Sequence, residues 1–165
     1  MTNRCYSEVH TGQLMVELQK LVPPGVTVNL AIIGSDATHT TNFSGDGKMH
    51  PVYISSGRVH SAIRNQPSSR AFMLIAYIPV CKFSKTEFAT GQQRKTMPGR
   101  LQARLFHHCM SIVLAPIKAA GQHPVEMIDP YGNLRHEMVF IGIYISDKEE
   151  QTLNLCLGKN ECGSC

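Results

Sequence analysis

The sequence predicts an α/β domain built on one mixed sheet, and three features of the chain carry that expectation. Three strand-like runs stand in succession, a stretch at helical spacing follows, and a further β run returns after a turn, giving the order strand, strand, strand, helix, strand. At 165 residues the chain is long enough for one domain with a real core. Its 42% hydrophobic and 17% charged residues belong to a folded protein, not to a disordered tail.

Residues 12–22, GQLMVELQKLV, bring Leu14, Val16, Leu18 and Leu21 near one another and stop at Pro23-Pro24-Gly25, which predicts a short helix or turn leading into the domain. Val26 to Ile33 is rich in β-branched and aliphatic residues and is bounded by that breaker, so it is predicted to be a buried strand, with Asp36 just past its end. NFSGDGKMH supplies the Gly and Asp of a turn, and PVYISS is predicted to be a second strand pairing with the first as a hairpin. After the basic connection GRVHSAIRNQPSSR, the run AFMLIAYIPV is apolar on both faces, which predicts a third, central strand ended by Pro79.

Residues 84–98 show no periodicity and are expected to form a loop. Leu101, Leu105, Cys109, Ile112, Val113 and Ile117 then recur at helical spacing, predicting a helix kinked in its last turn by Pro116 and closed by Gly121. VEMIDPYGNLRHEMVFIGIYISD predicts a hairpin about DPYGN, with Met138 to Ile145 as its strong second arm and Asp147 just beyond. Glu149 and Glu150 fit the first turn of a following helix, where acids suit the dipole.

The N-terminus lacks the continuous apolar stretch of a signal peptide, and AFMLIAYIPV is too short to span a bilayer, so an intracellular protein without membrane contact is expected. Six cysteines are then expected as thiols or metal ligands and not as disulfides. The net charge of +4 is unevenly spread: Lys48 to Arg104 holds ten basic residues and one acid, Glu87, whereas from Pro124 onward seven acids face three bases. Such a basic middle suits phosphate contact, and equally an ordinary solvated surface.

Two carboxylates at the ends of adjacent strands can share divalent cations, because the ladder holds neighbouring backbones about 5 Å apart. Asp36 and Asp147 fit that pattern if their strands are neighbours, although an acid after a strand also serves as turn former or helix cap. Asp129 and Asp46 sit among turn residues, and the structural role is the stronger reading for both. His107 and His108 are expected as one packed and one surface histidine, since consecutive positions do not share a helix face. Cys156, Cys162 and Cys165 form C-x5-C-x-x-C, three candidate thiolate ligands where structural Zn²⁺ takes four. No glycine-rich phosphate loop, G-x-S-x-G elbow or H-E-x-x-H motif is present.

Several of these segments in order, GSDATHTTNF, HPVYISSGRVHSAIRNQPSSRAFMLIAYIPVCKF, RLFHHCMSIVLAPIKAAG, IDPYGNLRH, YISDKEEQ and ECGSC, resemble the central part of Plavaka-type transposases, fungal cut-and-paste elements related to the Kyakuja, Dileera and Zisupton group. The likeness runs from about Val26 to Cys165. It implies a ribonuclease H-like domain with an Asp, Asp, Glu metal triad using Mg²⁺ or Mn²⁺. The first Asp of that family stands in an S-D-x-T context, matched by Ser35, Asp36 and Thr38. Its second precedes an E-Q pair and a cysteine-rich insertion, matched by Asp147, Glu150 and Gln151. Ala37 stands where Lys is common, and Lys148-Glu149 where the family often has Tyr-Pro or Thr-Pro.

The resemblance implies that the chain is the first half of such a domain: residues 1–25 a lead-in, 26–155 the partial ribonuclease H-like domain, and 156–165 a truncated zinc insertion. The third acid, the remaining zinc ligands and the N-terminal DNA-binding region are expected outside it, leaving the chain inactive alone. DNA, another copy or a full-length transposase are the expected partners, the nucleus the expected location, and Arg58, Arg64 and Arg70 the expected phosphate contacts. The rival reading is a non-enzymatic remnant that binds nucleic acid or protein.

Overall fold

The computed structural model describes residues 6–39, 47–129 and 131–157. Helix α1 (Gln13–Leu21) ends at Val22 before the Pro-Pro-Gly breaker, as the sequence predicts. Strand β1 (Val26–Ser35) follows, then the short strands β2 (Thr38–His39) and β3 (Lys48–Met49), and β4 (Pro51–Ser56). A single helical turn α2 (Ser61–Arg64) leads to β5 (Met73–Tyr77), and two helices, α3 (Gly91–Val113) and α4 (Ala115–Ala120), precede the hairpin of β6 (Val125–Ile128) and β7 (Leu134–Ile145). Helix α5 (Lys148–Asn154) closes the described chain.

Five strands form one sheet in the order β5-β4-β1-β7-β6, while β2 and β3 pair antiparallel by themselves. Because β1 and β7 are parallel and β6 and β7 antiparallel, the sheet is mixed and the fold class is α/β, as expected. The chain divides into two compact units: Met1–Gly34, Tyr53–Leu74 and Leu114–Ile145 form the first, and Ser35–Val52, Ile75–Val113 and Ser146–Cys165 the second. In the first, Val28, Leu30, Ala31, Ile32 and Ile33 of β1 are buried, as its β-branched run predicts, and α4 packs on β7. In the second, Val52, Ile78, Phe106 and Met110 are buried, the last two one helical turn apart on α3.

Three expectations need correction. The apolar run expected as a central strand lies at the sheet edge, where Met73, Leu74, Ile75 and Tyr77 of β5 are exposed. An unbroken apolar run does not show how many of its faces other elements cover. The expected loop over residues 84–98 is helical from Gly91, with Pro98 inside α3; its first turns are exposed and polar, so no apolar stripe marks them. Pro116 divides the expected helix at Leu114 instead of kinking it, because proline lacks the N–H that would bond back one turn and its ring crowds the carbonyl there. Gly121 caps α4, as expected, with its N–H on Ile117 O.

Candidate functional site

β1 and β7 pair in parallel from Val26↔His136 to Gly34↔Ile145. The register shifts once: Ala31 pairs with Ile141 but Ile32 with Ile143, leaving Gly142 as the extra residue of a β-bulge. Glycine suits that place, since a Cβ on Gly142 would meet Leu30 side-chain atoms at 3.1–3.2 Å. Before the bulge paired residues differ by 110 in number, and after it by 111, which is the separation of Asp36 and Asp147. Each aspartate thus stands two residues beyond a paired position, Gly34 or Ile145, at the carboxyl ends of neighbouring parallel strands.

Both aspartates are exposed. Asp147 is the N-cap of α5: its backbone is extended (φ −68°, ψ 171°) and its Oδ1 accepts the Glu150 N–H at 2.7 Å. Asp36 Oδ2 accepts a long bond from Thr38 Oγ1 at 3.4 Å. Asp147 therefore has the capping role that its position after a strand allowed, and capping engages only one of its two carboxylate oxygens.

Behind this exposed pair lies a buried polar group that the sequence did not single out as a unit. Ser35, the last residue of β1, donates its hydroxyl to Glu150 Oε1, and His50 Nε2 lies 3.1 Å from the same oxygen. All three residues are buried, and His50 stacks on Phe106 with ring centroids 5.2 Å apart and planes 20° from parallel. A cavity of about 620 Å³ opens beside them in the second unit, lined among others by Lys48, His50, Phe106, Asp147, Lys148 and Glu150. Its lining is of mixed charge, with two lysines and three acids, Asp147, Glu149 and Glu150. The available sequence signal was D-x-x-E at a helix start, which reads as a capping box; the Glu150 side chain turns inward instead.

Among the described residues no group of three or more His, Cys, Asp or Glu is arranged to hold a metal ion. Two carboxylates suit Mg²⁺, which keeps several waters and is commonly held by one or two carboxylates plus substrate phosphates, better than they suit Zn²⁺. Of the three cysteines expected to bind Zn²⁺, Cys156 is exposed and unbridged, with Sγ 3.5 Å from His107 Nε2; Cys162 and Cys165 lie outside the described residues. His107 is half-buried with Nε2 3.0 Å from Leu153 O, and His108 is exposed, matching the expected division of roles.

The three arginines differ in what they touch. Arg58 bonds buried Glu137 at 2.5 Å and Val28 O at 3.2 Å, and Asn29 Nδ2 donates to the other Glu137 oxygen at 3.0 Å. Its guanidinium is thus committed within the first unit. Arg64 donates to Val59 O at 2.8 Å, and exposed Arg70 caps a 3-10 turn with a left-handed backbone (φ 51°). Asp129 is confirmed as a turn residue: its Oδ1 accepts the N–H groups of Tyr131 and Asn133, each at 2.9 Å. Hydrogen bonds from Asn133 above all, then from Arg135 and Tyr131, hold its carboxyl well below the usual aspartate range. No helix among the described residues is long and apolar enough to cross a membrane.

Compared with known families, residues 1–165 match the family model described as Plavaka transposase. No curated protein and no solved structure matches the chain.

Proposed function

Because the chain belongs to the Plavaka transposase family, we propose that it carries two metal-binding aspartates, Asp36 and Asp147, of a ribonuclease H-like domain that cleaves and joins DNA strands. The observation that carries this reading is the bulged register of β1 and β7, which brings both acids two residues past paired positions on neighbouring parallel strands. A carboxylate pair so held takes Mg²⁺ or Mn²⁺, which in phosphodiester chemistry activates the attacking oxygen and stabilises the leaving one. Asp36 and Asp147 supply acidic oxygens, while Lys48 and Lys148, which line the cavity with Asp147, supply charge complementary to phosphate.

DNA is accordingly the partner, and the nucleus the place of action. Arg64 and Arg70 are better placed for phosphate contact than Arg58, which already holds a buried carboxylate. Zn²⁺ would be taken by Cys156, Cys162 and Cys165 as thiolates, and His107 beside Cys156 is of a ligand type that could complete the set.

Because the chain is expected to be inactive alone, binding of Mg²⁺ or Mn²⁺ at residues 36 and 147, and not nicking, tests the reading. Loss of that binding in both Asp36→Asn and Asp147→Asn supports it; binding that survives both substitutions overturns it. Steeply salt-dependent DNA binding with no divalent-cation binding at these residues assigns the chain to the non-enzymatic binding class instead.

A further inference from the structure

Glu150 is the third residue of α5, where a glutamate ordinarily reaches back to the N-cap backbone N–H and stays in water. Here it is buried, and its side chain crosses to β1. A buried carboxylate is costly to keep charged unless it is paired and hydrogen-bonded; the Ser35 hydroxyl donates to Oε1, and His50 Nε2 lies 3.1 Å from the same oxygen without a hydrogen bond, a neighbour that pairs with it when the imidazole is protonated. His50 is itself fixed, by its stack on Phe106 and by the Ile78 N–H that donates to its carbonyl at 2.8 Å.

The same residue touches Asp147 and the chain neighbour of Asp36. Its backbone N–H holds Asp147 Oδ1 at 2.7 Å, and its side chain holds Ser35, the residue bonded to Asp36. Resting on the metal reading above, we infer that Glu150 is a positioning residue: it ties the end of β1 to the start of α5 and so fixes Asp36 and Asp147 relative to each other. It does this as a buried acceptor, taking the Ser35 hydroxyl at Oε1. Outer partners that orient metal ligands typically contribute about 10–100-fold to metal affinity.

The test is a Mg²⁺ titration of uniformly ¹⁵N-labelled wild type, Glu150→Gln and Ser35→Ala, followed through the amides of residues 36 and 147 at a temperature where all three are folded. Wild type is expected to show both amides on one binding curve, and each variant to raise the apparent Kd at least about tenfold. A role in stability alone would lower the unfolding temperature and leave the Kd of the folded protein unchanged, which would overturn the inference. Ser35→Ala leaves the Glu150 carboxylate beside His50, so it decides the matter if Glu150→Gln does not fold. If wild type shows no response to Mg²⁺ at either amide, the metal reading falls by itself, and the metal-free spectra judge the tie. Joint movement of residues 36 and 147 in Glu150→Gln then supports it, and movement confined to residue 147 overturns it.

Discussion

Replacing Arg58 by alanine should destabilise the protein by about 3 kcal/mol, at the low end of the range for stranding one partner of a buried ion pair. The low end applies for two structural reasons. The Arg58 side chain is 32% exposed against 6% for Glu137, so water already reaches one side of the pair. Asn29 would also keep its bond to Glu137 at 3.0 Å, leaving the carboxylate one donor. The double variant Arg58→Ala/Glu137→Gln should recover much of the loss, since the stranded charge is gone. Urea unfolding at neutral pH gives the free energies, provided the slope with denaturant is the same in all variants. A loss under about 1 kcal/mol in the single variant would refute the view that Arg58 serves Glu137, given the usual cost of an unpaired buried charge. So would a fall in DNA affinity at unchanged stability, which would return Arg58 to the phosphate contacts.

Other expectations concern backbone, charge and pH. Gly57→Ala should lower stability by about 1–3 kcal/mol, because its Cβ would lie 2.7 Å from Val9 Cγ1 and 2.8 Å from the Leu30 carbonyl oxygen, and the latter is strand backbone; a thermal melt checks it. Arg64→Gln and Arg70→Gln should each weaken DNA binding across sequences and reduce the slope of log affinity against log salt by about 1, measured by fluorescence anisotropy at several salt concentrations. Asp129→Asn should be less stable than wild type at neutral pH. The folded carboxyl lies below its unfolded value, so its contribution is present above the ordinary aspartate value of about 3.9 and is lost as pH falls toward the folded one. The gap between the two proteins should therefore narrow as the pH drops below that value, as denaturant titrations at several acidic pH values would show.

Much of the scaffold was legible because local chemistry settles it. The Pro-Pro-Gly breaker before a β-branched run marked β1, and Asp129 with its turn partners marked the β6–β7 hairpin. The positions of Asp36 and Asp147 past strand ends were legible for the same reason. Their adjacency was not, because it depends on pairing between strands more than a hundred residues apart. Gly142 carries no sign of a bulge within its own strand; only the partner strand shows that one residue too many lies between paired positions. β5 misled because apolar content does not distinguish a covered face from an exposed one, and the start of α3 was hidden by polar residues around its circumference. Ser35, His50 and Glu150 come from three separate segments, and D-x-x-E has a sufficient local explanation as a helix cap.

Mn²⁺ binding followed by paramagnetic broadening bears most directly on whether Asp36 and Asp147 form one divalent-cation site. In wild type the amides of residues 36 and 147 should broaden together at the same low metal concentration, and Asp36→Asn or Asp147→Asn alone should abolish the effect at both positions. Broadening at residue 147 that persists unchanged in Asp36→Asn would mean that the two strand ends do not share a cation, and the metal site would have to be given up.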